Sequence, residues 1–342
     1  MIMEVAESGT GKRIEWIDAL KATALIFVIF GHILLDGSAF FVITSPVKIP
    51  LFFAVSGYLF SIKDGSFKPF LLRLLKTRAV PWFILSFVAF KVIYAMVSKQ
   101  FDAACEYLYV FASGIQLWYI PCCIIAEIIL FFIIKYSPKF SVTVVIMLAL
   151  SAAGYLMAIN GTGDFAKVNT ALISQFFLLI GLVMRKMRDS KKEIPRWAVW
   201  LMTAVYAVMV AVSFIRYPGK TFSVSYNDYY SVFVCGTLIV CGVALMFYFA
   251  PKLKYPKFLL YIGRNTLVIY IMHGYFLGIT DKIFDMSEVF DSRILRAVIG
   301  TVLICAVCAL IAFFINKYLP FVVGAKRKDR IKIKKQEVKS NG

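Results

Sequence analysis

The chain reads as an all-α, polytopic membrane helix bundle of about ten transmembrane helices with both termini in the cytoplasm. Three observations predict it. Hydrophobic residues make up 61% of the 342 positions and charged residues 17%, against about 45–50% and about 25% in soluble domains. Mean hydropathy is +0.81. Apolar runs long enough to cross a hydrocarbon core about 30 Å thick recur along the whole chain, and Lys and Arg gather in alternate connections between them. A water-soluble enzyme, a disordered chain and a collagen-like chain are excluded by this composition.

Ten spans follow, at 19–35, 40–62, 79–97, 117–134, 140–159, 168–184, 197–215, 229–250, 258–279 and 294–316. Asp18 and Lys21 start the first, which follows a polar segment and has no small-x-small site behind it, so it is expected to remain a span rather than a cleaved signal. The second carries internal polar groups. The third is entered from a basic loop through Pro81-Trp82, and Trp118 stands at the start of the fourth. The sixth again has polar interruptions. Arg264 and Asn265 lie near the start of the ninth. The domain division is a cytoplasmic segment 1–18, a transmembrane domain 19–316 and a basic cytoplasmic tail 317–342.

Alternation of the spans from a cytoplasmic start puts 27 Lys and Arg in inner segments and 6 in outer ones, which fixes the orientation by the positive-inside rule. The tail from Lys326 to Lys339 therefore reads as a topology anchor touching anionic membrane lipid, not as a nucleic-acid arm. Of the seven cysteines, six fall in spans and read as small apolar residues, Cys305 and Cys308 included.

Polar groups inside spans carry the functional information, because each costs several kcal/mol there (about 2.5–3.5 for Lys, Arg or Asp). The two histidines of the chain, His32 and His273, are both in spans, at a shared depth of about 21–22 Å above the cytoplasmic face at 1.5 Å per residue. Gly31 before His32 leaves room for a close approach. Asp36, four residues on, shares its helix face and could orient the imidazole or serve as a polar cap. Such a histidine suits general-base chemistry. At the cytoplasmic end Lys21, Arg73, Lys76, Arg78 and Arg264 form a set suited to phosphate. Glu127 is expected to pair with Lys48 or Lys91 in a buried ion pair.

Glu15-Trp16-Ile17-Asp18-Ala19-Leu20-Lys21 with the later Gly31-His32 resembles the first-helix signature of the acyltransferase family 3 membrane proteins. Further segments agree in order: Ile49-Pro50-Leu51-Phe52-Phe53-Ala54-Val55-Ser56-Gly57-Tyr58, Arg73 to Pro81, Leu117-Trp118-Tyr119-Ile120, and Gly263-Arg264-Asn265-Thr266 through Tyr270 to His273. Lys76-Thr77-Arg78 departs from the Arg-x-Arg of some members.

The resemblance implies transfer of an acyl group, commonly acetyl, from cytoplasmic acetyl-CoA to a hydroxyl of a cell-surface polysaccharide or its lipid-linked precursor, in a bacterial cytoplasmic membrane. His32 falls on the essential histidine, as general base or acyl relay, with Asp36 and Lys21 as its catalytic partners. Arg73, Lys76, Arg78 and Arg264 are expected to hold acyl-CoA. Ser56, Trp118, Asn265 and His273 are expected on the substrate side, Ser56 or Asn265 as donors to an oxyanion. The expected partners are acyl-CoA, a carbohydrate acceptor and membrane lipid, with no nucleic acid and no metal. From Arg216 to Tyr230 the outer segment offers Tyr217, Asn227, Asp228, Tyr229 and Tyr230 to a sugar. The rival class is a transporter of a sugar or lipid-linked sugar, with His32, Lys48, Lys91 and Glu127 as its polar path; it lacks paired halves with matching broken helices.

Overall fold

The computed structural model describes residues 14–34, 38–62, 65–86, 117–220, 222–285 and 292–323, the side chains of Ile279 and 281–285 excluded. In chain order the helices are α1 (Glu15–Leu34), α2 (Ala39–Leu59), α3 (Phe67–Leu74), a π-helical turn (Leu75–Ala79), α4 (Val80–Trp82), α5 (Tyr119–Tyr136), α6 (Phe140–Ile159), α7 (Val168–Asp189), α8 (Arg196–Arg216), α9 (Val232–Phe249), α10 (Lys257–Arg264), α11 (Thr266–Asp285) and α12 (Arg293–Tyr318). Among the described residues the β structure is one isolated bridge, Ser223 with Asp228. Among the described residues eight helices are long and apolar enough to cross a membrane, namely α1, α2, α5 to α9 and α12. The expected all-α membrane bundle is the fold.

Of the expected span 79–97, residues beyond 86 lie outside the described ones, as do Asp36, Lys91, Cys105 and the tail from 324. The expected helix over 258–279 is instead two helices, α10 and α11, broken at Asn265 (φ −108°, ψ 20°). The cause is local: the Asn265 amide donates to the Tyr261 carbonyl at 2.9 Å, the side-chain-to-backbone competition that ends helices.

The core is built around α1 and α2. Both are apolar nearly all round, the pattern of a helix buried on every side. α1 packs on α2, α10, α11 and α12, while α2 packs on α7 and α9 as well. Missing side chains set the closest approaches. A Cβ at Gly57 would run into the Leu178 carbonyl, and one at Gly181 into the Ala54 carbonyl, so α2 and α7 meet backbone to backbone. Small residues serve membrane helices this way because lipid gives no hydrophobic drive between them. A Cβ at Gly263 would meet the Asp18 carbonyl, which fixes α10 against the start of α1. Arg185, fully buried, donates to the carbonyl of Phe60, the C-cap of α2, placing a cation where the helix dipole is negative.

The periphery is different. α8 buries Val199 and Ser213 alone and leaves Trp197, Trp200 and Ile215 exposed. Such a face is stable against lipid chains, which are as apolar as the side chains themselves.

Candidate active site

At the end assigned to the cytoplasm, a cavity of about 500 Å³ opens between α1, α2, the π turn, α5 and the α10–α11 break. Its cations are Lys21, Arg73, Arg78 and Arg264. They are held in place by acids and carbonyls. Asp18, 2% exposed, binds Lys21 Nζ at 2.7 Å and faces Arg264 Nε at 3.6 Å. Arg73 donates to the Ser61 carbonyl at 3.2 Å. Arg78 meets Glu127 at 2.5 Å and donates to the Cys123 sulfur at 2.6 Å.

The Arg78–Glu127 pair corrects the expectation that Glu127 takes a lysine. The π turn carries Arg78 on the same segment as Lys76 but not to the same place: Lys76 is exposed and does not line the cavity. Lys48 belongs to a second cavity, and Lys91 lies outside the described residues. Planar guanidinium forks fixed in this way suit phosphate oxygens better than free lysines would.

The second cavity, about 950 Å³, opens toward the opposite end. His32, exposed to it, stands with its ring centroid 5.6 Å from that of His273. Nδ1 of His273 is 2.6 Å from the Tyr270 carbonyl. A carbonyl can only accept, so Nδ1 carries a hydrogen, and in the neutral imidazole Nε2 then keeps the lone pair. Lys48 lines the same cavity, with its ammonium over the Phe41 ring at 4.1 Å. A Cβ at Gly31 would sit 2.9 Å from that ammonium, so the glycine before His32 makes room for the lysine head.

One side of this cavity is the hairpin around the Ser223–Asp228 bridge, which contributes Phe222 to Tyr226 and Asp228. Pins to the start of α7 hold it. Asp164 accepts from Thr170 Oγ1 at 2.5 Å and from Asn227 Nδ2 at 3.1 Å, and Lys167 donates to the Ser225 carbonyl at 3.0 Å.

The sequence-selected residues thus separate into groups. His32, His273 and Trp118 share the outer cavity; Lys21, Arg73, Arg78, Arg264 and Ser56 share the inner one. Lys21 and His32 are not brought together, being about 16 Å apart along α1 at 1.5 Å per residue. Lys76 and Asn265 line neither cavity, and Ser56 is not in the cavity of His32. Asn265 is engaged by Asn316 at 2.6 Å. Asp36 lies outside the described residues.

Of the outer-segment candidates, Asp228 lines the cavity. Tyr217 and Tyr230 pack on each other at 5.0 Å with their rings tilted by 39°, and Tyr229 packs on Phe222 at 5.3 Å. Ser223, Ser225 and Tyr226 were missed. They lie in a loop without periodicity, and the alternation of small polar and aromatic residues was its one signal.

The family model for an acyltransferase domain matches residues 14–313, from the residue before α1 into α12 and through both cavities. No curated protein and no solved structure matches the chain. The family match covers nearly the whole described bundle, and on that ground the chain belongs to acyltransferase family 3, as a multi-pass membrane acyltransferase.

Proposed function

We propose that this protein moves an acetyl group from acetyl-CoA to a hydroxyl of a cell-envelope polysaccharide or its lipid-linked precursor, in a bacterial cytoplasmic membrane. The observation that carries the reading is the pair of cavities: a cationic one at the inner end and a histidine-bearing one, walled by aromatic and hydroxyl side chains, at the outer end. Arg73, Arg78, Arg264 and Lys21 fit the phosphates of the donor, and an arginine face can stack on its adenine. The pantetheine arm, about 15–20 Å by chain dimensions, is long enough to rise from this cavity toward His32. Aromatic rings such as Trp118 and Tyr226 in the outer cavity suit a sugar face.

In the reaction His32 takes the proton of the acceptor hydroxyl as its oxygen attacks the thioester carbonyl. The new C–O bond forms, the C–S bond breaks, and CoA leaves as a thiolate that collects the proton. His273, held as the Nδ1–H tautomer, offers Nε2 beside His32 and can share that proton. A positioned general base contributes about 10²–10⁴-fold.

The test uses the full chain in lipid nanodiscs with radiolabelled acetyl-CoA and a mixture of envelope glycans. His32→Ala is expected to lower transfer by about 10²–10⁴-fold with donor binding retained. Transfer at the wild-type rate in that variant overturns the assignment.

A further inference from the structure

The two cavities are nearly one. Four elements line both of them. On α1, Lys21 faces the inner cavity and Val28, Gly31 and His32 the outer; on α2, Phe52 and Ser56 are inner and Ser45, Lys48 and Ile49 outer. Tyr119 and Trp118, neighbours at the start of α5, divide between them, and α11 passes from Leu267 to His273. The passage is interrupted at one level. Lys21 and Val28 bracket it on α1, a rise of about 10 Å, and Ile49 and Phe52 on α2, a rise of about 4.5 Å, so at α2 the partition is about as thick as one aromatic ring.

Three rings fill that level. Tyr119 lies 5.5 Å from Phe52 and 5.6 Å from Tyr270, the latter edge-on at 70°. Among the described residues Tyr270 alone lines both cavities. It also abuts the catalytic region, its ring 5.5 Å from that of His273 and its carbonyl fixing the His273 tautomer. A second observation concerns the backbone. Leu117 holds φ at 54°, a left-handed conformation that a bulky side chain adopts only under constraint. The turn it makes precedes Trp118 and Tyr119, one on each side of the partition.

We propose that Phe52, Tyr119 and Tyr270 form a gate between a donor chamber and an acceptor chamber, and that Tyr270 is the positioning residue that admits the thioester arm to His32. This rests on the acyl-transfer reading above. Closed, the rings keep the thioester from hydroxyls and water of the outer chamber. The arm threads between them when the donor phosphates are seated below, so that attack and seating are coupled. The passage suits a neutral, slender arm and excludes the phosphates, which stay with the arginines.

The test has an arm that needs no turnover. Leu267 lines the inner cavity one helical turn below Tyr270, so Leu267→Cys places a thiol just under the partition. In sealed proteoliposomes of known orientation, a charged, membrane-impermeant thiol reagent is applied from either side and labelling of residue 267 is read by mass spectrometry. From the inner side it is expected to label residue 267 in every variant, and a monodisperse size-exclusion peak before reconstitution verifies folding. From the outer side labelling is expected to be slow with Tyr270 and with Tyr270→Phe, and at least tenfold faster with Tyr270→Ala.

The activity arm measures acetyl-CoA hydrolysis without acceptor, expected to rise at least fivefold in Tyr270→Ala and by much less in Tyr270→Phe, which keeps the ring. Outer-side labelling equally slow in Tyr270→Ala, or equally fast in the wild type, overturns the gate. Absence of any acetyl-CoA turnover in wild type overturns the acyl-transfer reading instead, while the labelling contrast still decides the gate.

Discussion

The inner and outer cavities are built by opposite means. The inner one is made almost entirely of helix side chains whose charges are tied down in pairs, Lys21 and Arg264 on Asp18 and Arg78 on Glu127. The outer one borrows a wall from a hairpin that reaches it across the top of α7 and is pinned through Asp164, Asn227 and Lys167. A site on packed helices holds its geometry closely, whereas loops vary without disturbing the scaffold. On the acyl-transfer reading proposed above, the contrast fits a fixed donor and a variable acceptor.

The shared scaffold beneath both cavities is where the largest effect is expected. Gly181→Leu forces a side chain into the Ala54 carbonyl and should separate α2 from α7, which carry residues of both sites. Overpacking costs about 1–3 kcal/mol where neighbours can yield; here the neighbour is backbone, so loss of the detergent-stable, monodisperse species is expected by size-exclusion chromatography. A stable variant would show that the two helices can separate without cost.

The next effect is specific to the donor side. Glu127→Ala leaves Arg78 without its carboxylate. A broken buried pair costs about 3–5 kcal/mol, and the 26% exposure of the Arg78 side chain reduces that to about 1–2 kcal/mol. The KM for acetyl-CoA is expected to rise about tenfold with the acceptor KM unchanged.

Asp164→Ala should do the converse. The carboxylate accepts from Thr170 and Asn227, and leaving such donors unmet costs about 1–3 kcal/mol. Freed from its pin, the hairpin is expected to raise the acceptor KM several-fold while the donor KM holds; movement of both constants together would end the division of labour. Lys76→Ala is expected to change the donor KM by less than about twofold, in the range of exposed charges, because Lys76 points away from the cavity that Arg78 lines.

The membrane bundle and the histidine pair were legible in the sequence because each has a one-dimensional signature. Apolar runs mark spans irrespective of partners, and His32 and His273 share a depth that counting residues reveals. Pairings were not legible. Glu127 is too far in sequence from Arg78 for any spacing rule, and the π turn that separates Arg78 from Lys76 has no composition of its own. The broken helix at Asn265 was hidden by continuous hydropathy through Leu267 and Val268, although an asparagine after Gly263-Arg264 was its trace. Ser56 became a candidate through a motif whose glycine serves the α2–α7 contact: a Cβ at Gly57 would meet the Leu178 carbonyl, and Ser56 itself lines the inner cavity.

The thinness of the aromatic partition has an electrical consequence. With water in both cavities, a membrane potential falls mostly across the insulating layer between them, here about one ring thick at α2 rather than about 30 Å. A unit charge pushed through that layer does work of about 2.3 kcal/mol per 100 mV, concentrated into a few ångströms. On the acyl-transfer reading proposed above, an uncharged thioester arm would cross at no electrical cost while the donor phosphates stayed on their own side of the field, so that acyl delivery would be independent of voltage.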